Sequence, residues 1–215
     1  FVKAARGDWS KTSFPWLSVR ECFVGFAPAT VMAVSFSGEL AYEIHVPNSA
    51  LYAAYLALTD AGVEHELGLF GARAVESMRM EKGFLHWKSD IITEFDPFET
   101  GLDRFVKMDK LDFIGKVALE ERVRNGAQKR LVSLEIDCDN APAYSGASLM
   151  QGDEVVGTIT SGAWGYRVGK NLAYAFIDPK YSKIGTSVQL DLLGRLVEAT
   201  VCPPSPYDPN FELLC

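Results

Sequence analysis

Apolar residues recur with a period of two in some stretches of the chain and with helical spacing in others. Ala29–Phe36 ("ATVMAVSF") and Gly38–Pro47 ("GELAYEIHVP") predict two strands. In the second, Leu40, Tyr42, Ile44 and Val46 alternate with Ala41, Glu43 and His45. Pro47-Asn48-Ser49 predicts a helix start, with Asn48 or Ser49 available to cap the first amides. "ALYAAYLALTDAG" follows as a helix that is apolar on nearly every face and stops at Gly62. A second helix is predicted over roughly Phe70–Lys82 and stops at Gly83. Ala72, Ala74, Val75 and Met78 form its predicted buried side, and Arg73, Glu76 and Arg79 one polar stripe. Phe113–Gly126 predicts a third helix, whereas the first twenty residues show no clear period and Phe84–Lys110 reads as loop.

The texture changes near Gly126–Lys129. "KRLVSLEI", "ASLMQGDEVVGTITSG", "NLAYAFI" and "TSVQLDLLGRLVEATV" are β-type runs broken by Gly and Asp, with hairpin signals at "MQGDEVV" and "LLGRLVEA". Six short strands at this spacing predict a small antiparallel barrel or sandwich. The fold class is therefore α+β: a mixed α/β region over residues 1–127, then a small antiparallel β-barrel domain over 128–215. No internal repeat or low-complexity tract interrupts it.

A length of 215 residues suits one large domain or two small ones. The net charge of −7 argues against generic nucleic-acid binding, which needs a basic surface. No apolar run is long enough for a membrane span, and no signal peptide is visible. Cys22, Cys138, Cys202 and Cys215 form no C-x-x-C pair, so neither a zinc site nor a disulfide framework is predicted. A reducing compartment follows: the cytoplasm, or the mitochondrial matrix in a eukaryote. The opening "FVKAARGDW" carries no initiator Met and reads as part of a longer chain.

Glu43 is the sharpest candidate for chemistry. A carboxylate on a strand beside a cavity can accept two parallel N–H bonds from an amino-pyrimidine edge; equally, an alternating polar position can simply face water. Arg73 and Arg79 could hold a ligand carboxylate or pair with Glu76, Glu81 or Glu43. His86 reads as a ligand, a base or a satisfied loop histidine, and neither it nor His45 or His65 has a partner at metal spacing. "TSGAWGYRVGKN" (Thr160–Asn171) is Gly-rich but precedes no helix pattern. It reads as a hairpin or loop that sets Arg167 and Lys170 on a rim, not as a phosphate loop. G-x-S-x-G, H-E-x-x-H and G-x-G-x-x-G are all absent.

Four segments together, "SFSGELAYEIHVP", "LGLFGARAVESMRMEKGFLHWKSDI", "PFETGLDRFVKMDKLDFIGKVAL" and "VGTITSGAWGYRVGKNLAYAFI", resemble the glycine-cleavage T-protein (aminomethyltransferase) family. The form "RMEKGFLHWKSDI" is closest to the folate-binding module of sarcosine and dimethylglycine dehydrogenases, where it follows a flavin domain. The resemblance implies tetrahydrofolate as cofactor, a small methylamine-type substrate and one-carbon transfer between them. It implies that Glu43, the second Glu of GE-x-x-x-E, faces the pterin. Arg73 is implied at the same site, and Tyr207 in "PSPYDP" is implied to approach the ligand. It departs from the family at Phe36-Ser37-Gly38, where Tyr-Thr-Gly or Tyr-Ser-Gly is usual. No residue matches the family's catalytic Asp, which lies in an N-terminal half not present here; FAD is implied only in an upstream domain. The expectation is therefore a C-terminal portion that is inactive alone and has the N-terminal half as its partner. Its rivals are a non-catalytic binding module of the same fold, and a demethylase for another methyl donor such as a sulfonium compound.

Overall fold

A computed structural model describes residues 1–139 and 141–214; Cys215 lies outside the described residues. The chain forms two compact units, Phe1–Val75 with the residues from Asp208 on, and Glu76–Tyr207.

The first unit holds three antiparallel strands in the order β1-β2-β3: β1 (Val19–Val24), β2 (Ala27–Met32) and β3 (Glu43–His45). The pattern did not announce β1. Its Cys22, Val24 side faces the core, while Val19, Glu21 and Phe23 are exposed. The strand expected over Gly38–Pro47 is only three residues long. Upstream of it the chain bends: Gly38 has φ +82°, its amide donates to Ser35 Oγ at 3.0 Å, and that of Glu39 to Ser37 Oγ at 3.4 Å. These local bonds compete with a ladder and end it. Gly25 turns β1 into β2 at φ +59°, and a Cβ there would lie 2.9 Å from Ala57 Cβ.

Helix α1 spans Leu51–Gly62. Neither Asn48 nor Ser49 caps it. A 3-10 turn over Asn48–Ala50 precedes it, and its Ala50 amide bonds Pro47 O at 2.9 Å, so entry is by backbone rather than side chain. The unit's core joins Ala5, Val24, Ala27, Val31 and Ala54 to Trp9 and Phe14, with Tyr42, Ile44 and Val46 packed against them. The Arg20 guanidinium lies 4.8 Å from the centroids of both Trp9 and Phe14.

In the second unit, α3 (Lys116–Asn125) ends where Gly126 takes φ +77°. Six strands follow: β4 (Arg130–Ile136), β5 (Ser148–Gln151), β6 (Glu154–Gly165), β7 (Lys170–Ile177), β8 (Ser187–Leu192) and β9 (Arg195–Cys202). They close as β4-β7-β6-β5-β8-β9, with β4 paired to β9. The fold is thus α+β with a closed antiparallel barrel. Leu193 and Gly194 both have positive φ, the primed turn a tight hairpin needs. Leu134, Leu149, Ile159, Ile177, Val188 and Leu190 fill the interior. Strand β7 is buried on both faces. Its outer residues Leu172 and Tyr174 pack with Met80, and Phe176 stacks on Phe95.

Met80 belongs to α2 (Ala72–Lys82), and here the expected buried side is wrong. Ala72 and Ala74 are exposed and Val75 and Met78 half-buried, while Ser77, Arg79, Met80, Glu81 and Lys82 are buried. One end of the helix is buried, not one stripe, so periodicity misread it. Among the described residues, no helix is long and apolar enough to cross a membrane.

Candidate functional site

Strand register sets the surroundings of Glu43. Met32 lies opposite Glu43 and Val19 opposite Met32; one row along, Thr30 faces His45 and Glu21 faces Thr30. Successive strand residues point to opposite sides. Tyr42 and Ile44 go to the core, so Glu43 and His45 share the outer face with Val19 and Met32. Glu43 is exposed, and its Oε2 lies 3.3 Å from His45 Nε2. Among the described residues no Lys or Arg pairs with it. The outer face therefore combines a carboxylate whose neighbour is His45 with flanking apolar side chains.

Arg73 sits in the first turn of α2, exposed and without an ion pair among the described residues. Arg79 is fully engaged. Nε and Nη2 donate to Glu76 Oε2 at 2.9 and 2.7 Å, and Nη1 to Asp90 Oδ2 at 2.7 Å and Phe84 O at 3.1 Å. Asp90 is completely buried and also accepts from Thr160 and Ser161 hydroxyls at 2.6 and 2.7 Å. Beside Arg79, the Tyr174 hydroxyl donates to Met80 O at 3.0 Å, and burial raises its phenol above the usual range. This network is structural: it ties α2 and the "HWKSD" segment to the barrel, and Arg79 has little left for a ligand.

Tyr207 is half-buried; its amide donates to Glu81 O at 3.0 Å, and the Arg167 guanidinium carbon lies 3.8 Å from its ring centroid. The Thr160–Asn171 segment is the β6–β7 hairpin. Its two cations are paired, Arg167 with Glu81 of α2 and Lys170 with Glu135 of β4. His86 Nδ1 is 3.2 Å from Ser89 Oγ, as for a satisfied loop histidine. No metal-binding group exists among the described residues.

The hydrophobic pattern does not point to a cleft that the first unit contains. Trp9, Phe14, Trp16, Leu40, Tyr42 and Leu214 line a mainly apolar cleft of about 290 Å³ in the first unit, with Lys11 in its wall. The aromatic density of "WSKTSFPW" was its only local signal.

The family model described as the GCVT N-terminal domain matches residues 2–110, and that of the glycine cleavage T-protein C-terminal barrel domain matches 129–208. The chain is 34% identical, over 93% of its length, to the mitochondrial dimethylglycine dehydrogenase of Mus musculus, of which it spans 23%. Over 94% of its length it is 30% identical to the mitochondrial sarcosine dehydrogenase of Homo sapiens, again spanning 23% of that protein. Against an aminomethyltransferase of Caldanaerobacter subterraneus it is 28% identical over 85% of its length and spans 48%. The crystal structure of aminomethyltransferase T from Bartonella henselae superposes with a TM-score of 0.76 at 23% identity, over 84% of this chain and 50% of that one, which bears on fold alone. Carrying both domain matches in succession, the chain belongs to the glycine-cleavage T-protein (aminomethyltransferase) family.

Proposed function

We propose that this chain serves tetrahydrofolate-dependent one-carbon transfer from a small methylamine-type donor, as the C-terminal part of a sarcosine- or dimethylglycine-dehydrogenase-like protein or an aminomethyltransferase. Residues 1–127 belong to its folate-binding region and 128–215 to its barrel domain. The observation that carries the reading is Glu43: an exposed carboxylate on an open sheet face, beside Met32, with no Lys or Arg taking it among the described residues. An exposed strand carboxylate needs no cation for stability, since water solvates it. One left without suits a ligand that brings its own N–H groups, and a carboxylate can accept two in parallel. The apolar neighbours fit a flat ring. Arg73 is exposed and available to orient the carboxylate or a polar part of the ligand; for Tyr207, in the second unit, the family resemblance alone supports a ligand contact.

Tetrahydrofolate supplies the nucleophilic nitrogen that accepts the one-carbon unit. Glu43, Arg73 and Tyr207 bind and orient it and place charge. The chain's location follows the mitochondrial relatives: a reducing compartment, the matrix in a eukaryote.

Calorimetric titration of tetrahydrofolate into the intact protein tests the reading. Saturable micromolar binding supports it, and no binding leaves the non-catalytic module. Turnover of a sulfonium donor in preference to methylamines would favour the demethylase alternative.

A further inference from the structure

We propose that Arg167 is a positioning residue for the ring of Tyr207, held for that task by the buried carboxylate of Glu81. The inference rests on the reading that Tyr207 meets the folate ligand.

Glu81 is completely buried. One of its oxygens accepts the backbone amides of Arg167 and Val168 at 2.6 and 3.3 Å; the other pairs with Arg167 Nε. Arg167 Nη2 donates to Met78 O at 2.9 Å. The guanidinium is thereby bonded along one edge and turned at the other, which fixes its plane. A fixed plane is what a stacked ring requires, and at 3.8 Å the guanidinium carbon is well inside the range of about 6 Å for attraction to a ring face. The Tyr207 amide is held by the carbonyl of the same Glu81, so backbone and ring of Tyr207 refer to one residue.

Two glycines make room for this arrangement. A Cβ at Gly83 would lie 2.3 Å from Pro204 O, and one at Gly165 would lie 2.9 Å from Glu81 Cγ. The segment leading to Tyr207 and the hairpin carrying Arg167 therefore both approach α2 more closely than a side chain permits. Neutralising the buried Glu81 needs a positive charge but not a plane; the bond to Met78 O and the ring contact use the other edge and the face of the guanidinium. Only a planar cation also presents a face to the ring. Tyr207 as a whole residue is half-buried.

Arg167→Lys keeps the charge that Glu81 requires and removes the planar face. In the intact protein labelled with 3-fluorotyrosine, the Tyr207 fluorine resonance, assigned by Tyr207→Phe, should shift and broaden in Arg167→Lys. Tetrahydrofolate should bind about 5- to 10-fold more weakly, the equivalent of losing one such contact. Tyr207→Ala should weaken binding at least as much, and the double variant should add little. An unmoved resonance overturns the proposal. So does a moved resonance with unchanged affinity when Tyr207→Ala does weaken binding. If Tyr207→Ala leaves affinity unchanged, or the intact protein binds no tetrahydrofolate, the folate reading of Tyr207 fails and the assignment of Arg167 to that task is overturned with it.

Discussion

In the barrel, β4 pairs with β9 and each strand has two neighbours; in the three-stranded sheet, β1 and β3 have one each. The cores differ in the same sense. Branched aliphatic side chains fill the barrel, whereas in the first unit alanines at positions 4, 5, 27, 29, 33 and 54 supply much of the buried cluster. Trp9 and Phe14 are its large buried groups, and several others are exposed: Phe23 and Val19 on β1, Phe26 at the hairpin, Tyr52, Tyr55 and Leu56 on α1. A closed barrel has no unpaired strand edge, whereas a three-stranded open sheet leaves two. The difference teaches where to look for function. A surface that is already complete holds positions steady, and one that is incomplete remains available to bind.

The largest effect should come from the polar ties of the barrel unit. Asp90→Ala leaves Arg79 buried with only Glu76 as its carboxylate, and should cost about 3–5 kcal/mol in urea denaturation. A loss under about 1 kcal/mol would show that this unit does not depend on the network. Next, Leu190→Ala in the barrel interior should cost about 2–5 kcal/mol; a smaller loss would mean that the closed core is no better packed than the open one.

On the sheet, Glu43→Gln keeps shape but turns an acceptor into a donor. Tetrahydrofolate affinity in the intact protein should fall about 10- to 100-fold, with the melting temperature almost unchanged, because a charge-assisted bond is worth roughly 1.5–3 kcal/mol. The reverse pattern, lost stability with folate affinity intact, would make Glu43 a structural residue and erase the contrast between units. The smallest effect belongs to the exposed apolar groups. Phe23→Ser and Tyr52→Ser should each change stability by no more than about 0.5 kcal/mol, yet lower binding of the dye ANS. Equal dye binding by wild type and both variants would show that this surface is not accessible.

Much of the barrel was legible because its information is local. Alternation, Gly-Asp and Leu-Gly turns and short strand spacing are read within a few residues, and all six strands stand where those signals fell. Strand β1 was not legible, because Phe23 and Val19 are exposed and blur the alternation. Short Ser35 and Ser37 side-chain bonds shortened β3 in a way that a period-2 count does not register.

By itself the sequence determined the class, the barrel strands, the helix spans to within a few residues and the family resemblance, since each is written in neighbouring residues. Only the tertiary structure decided which charges are paired. Arg73 and Arg79 lie on one helix and looked alike, yet the first is exposed and the second is held by Asp90, whose other oxygen bonds Ser161 at a separation of 71 residues. Glu81 and Arg167 meet across 86 residues. A buried charge finds its partner through space, and nothing in the spacing along the chain records the distance that folding removes.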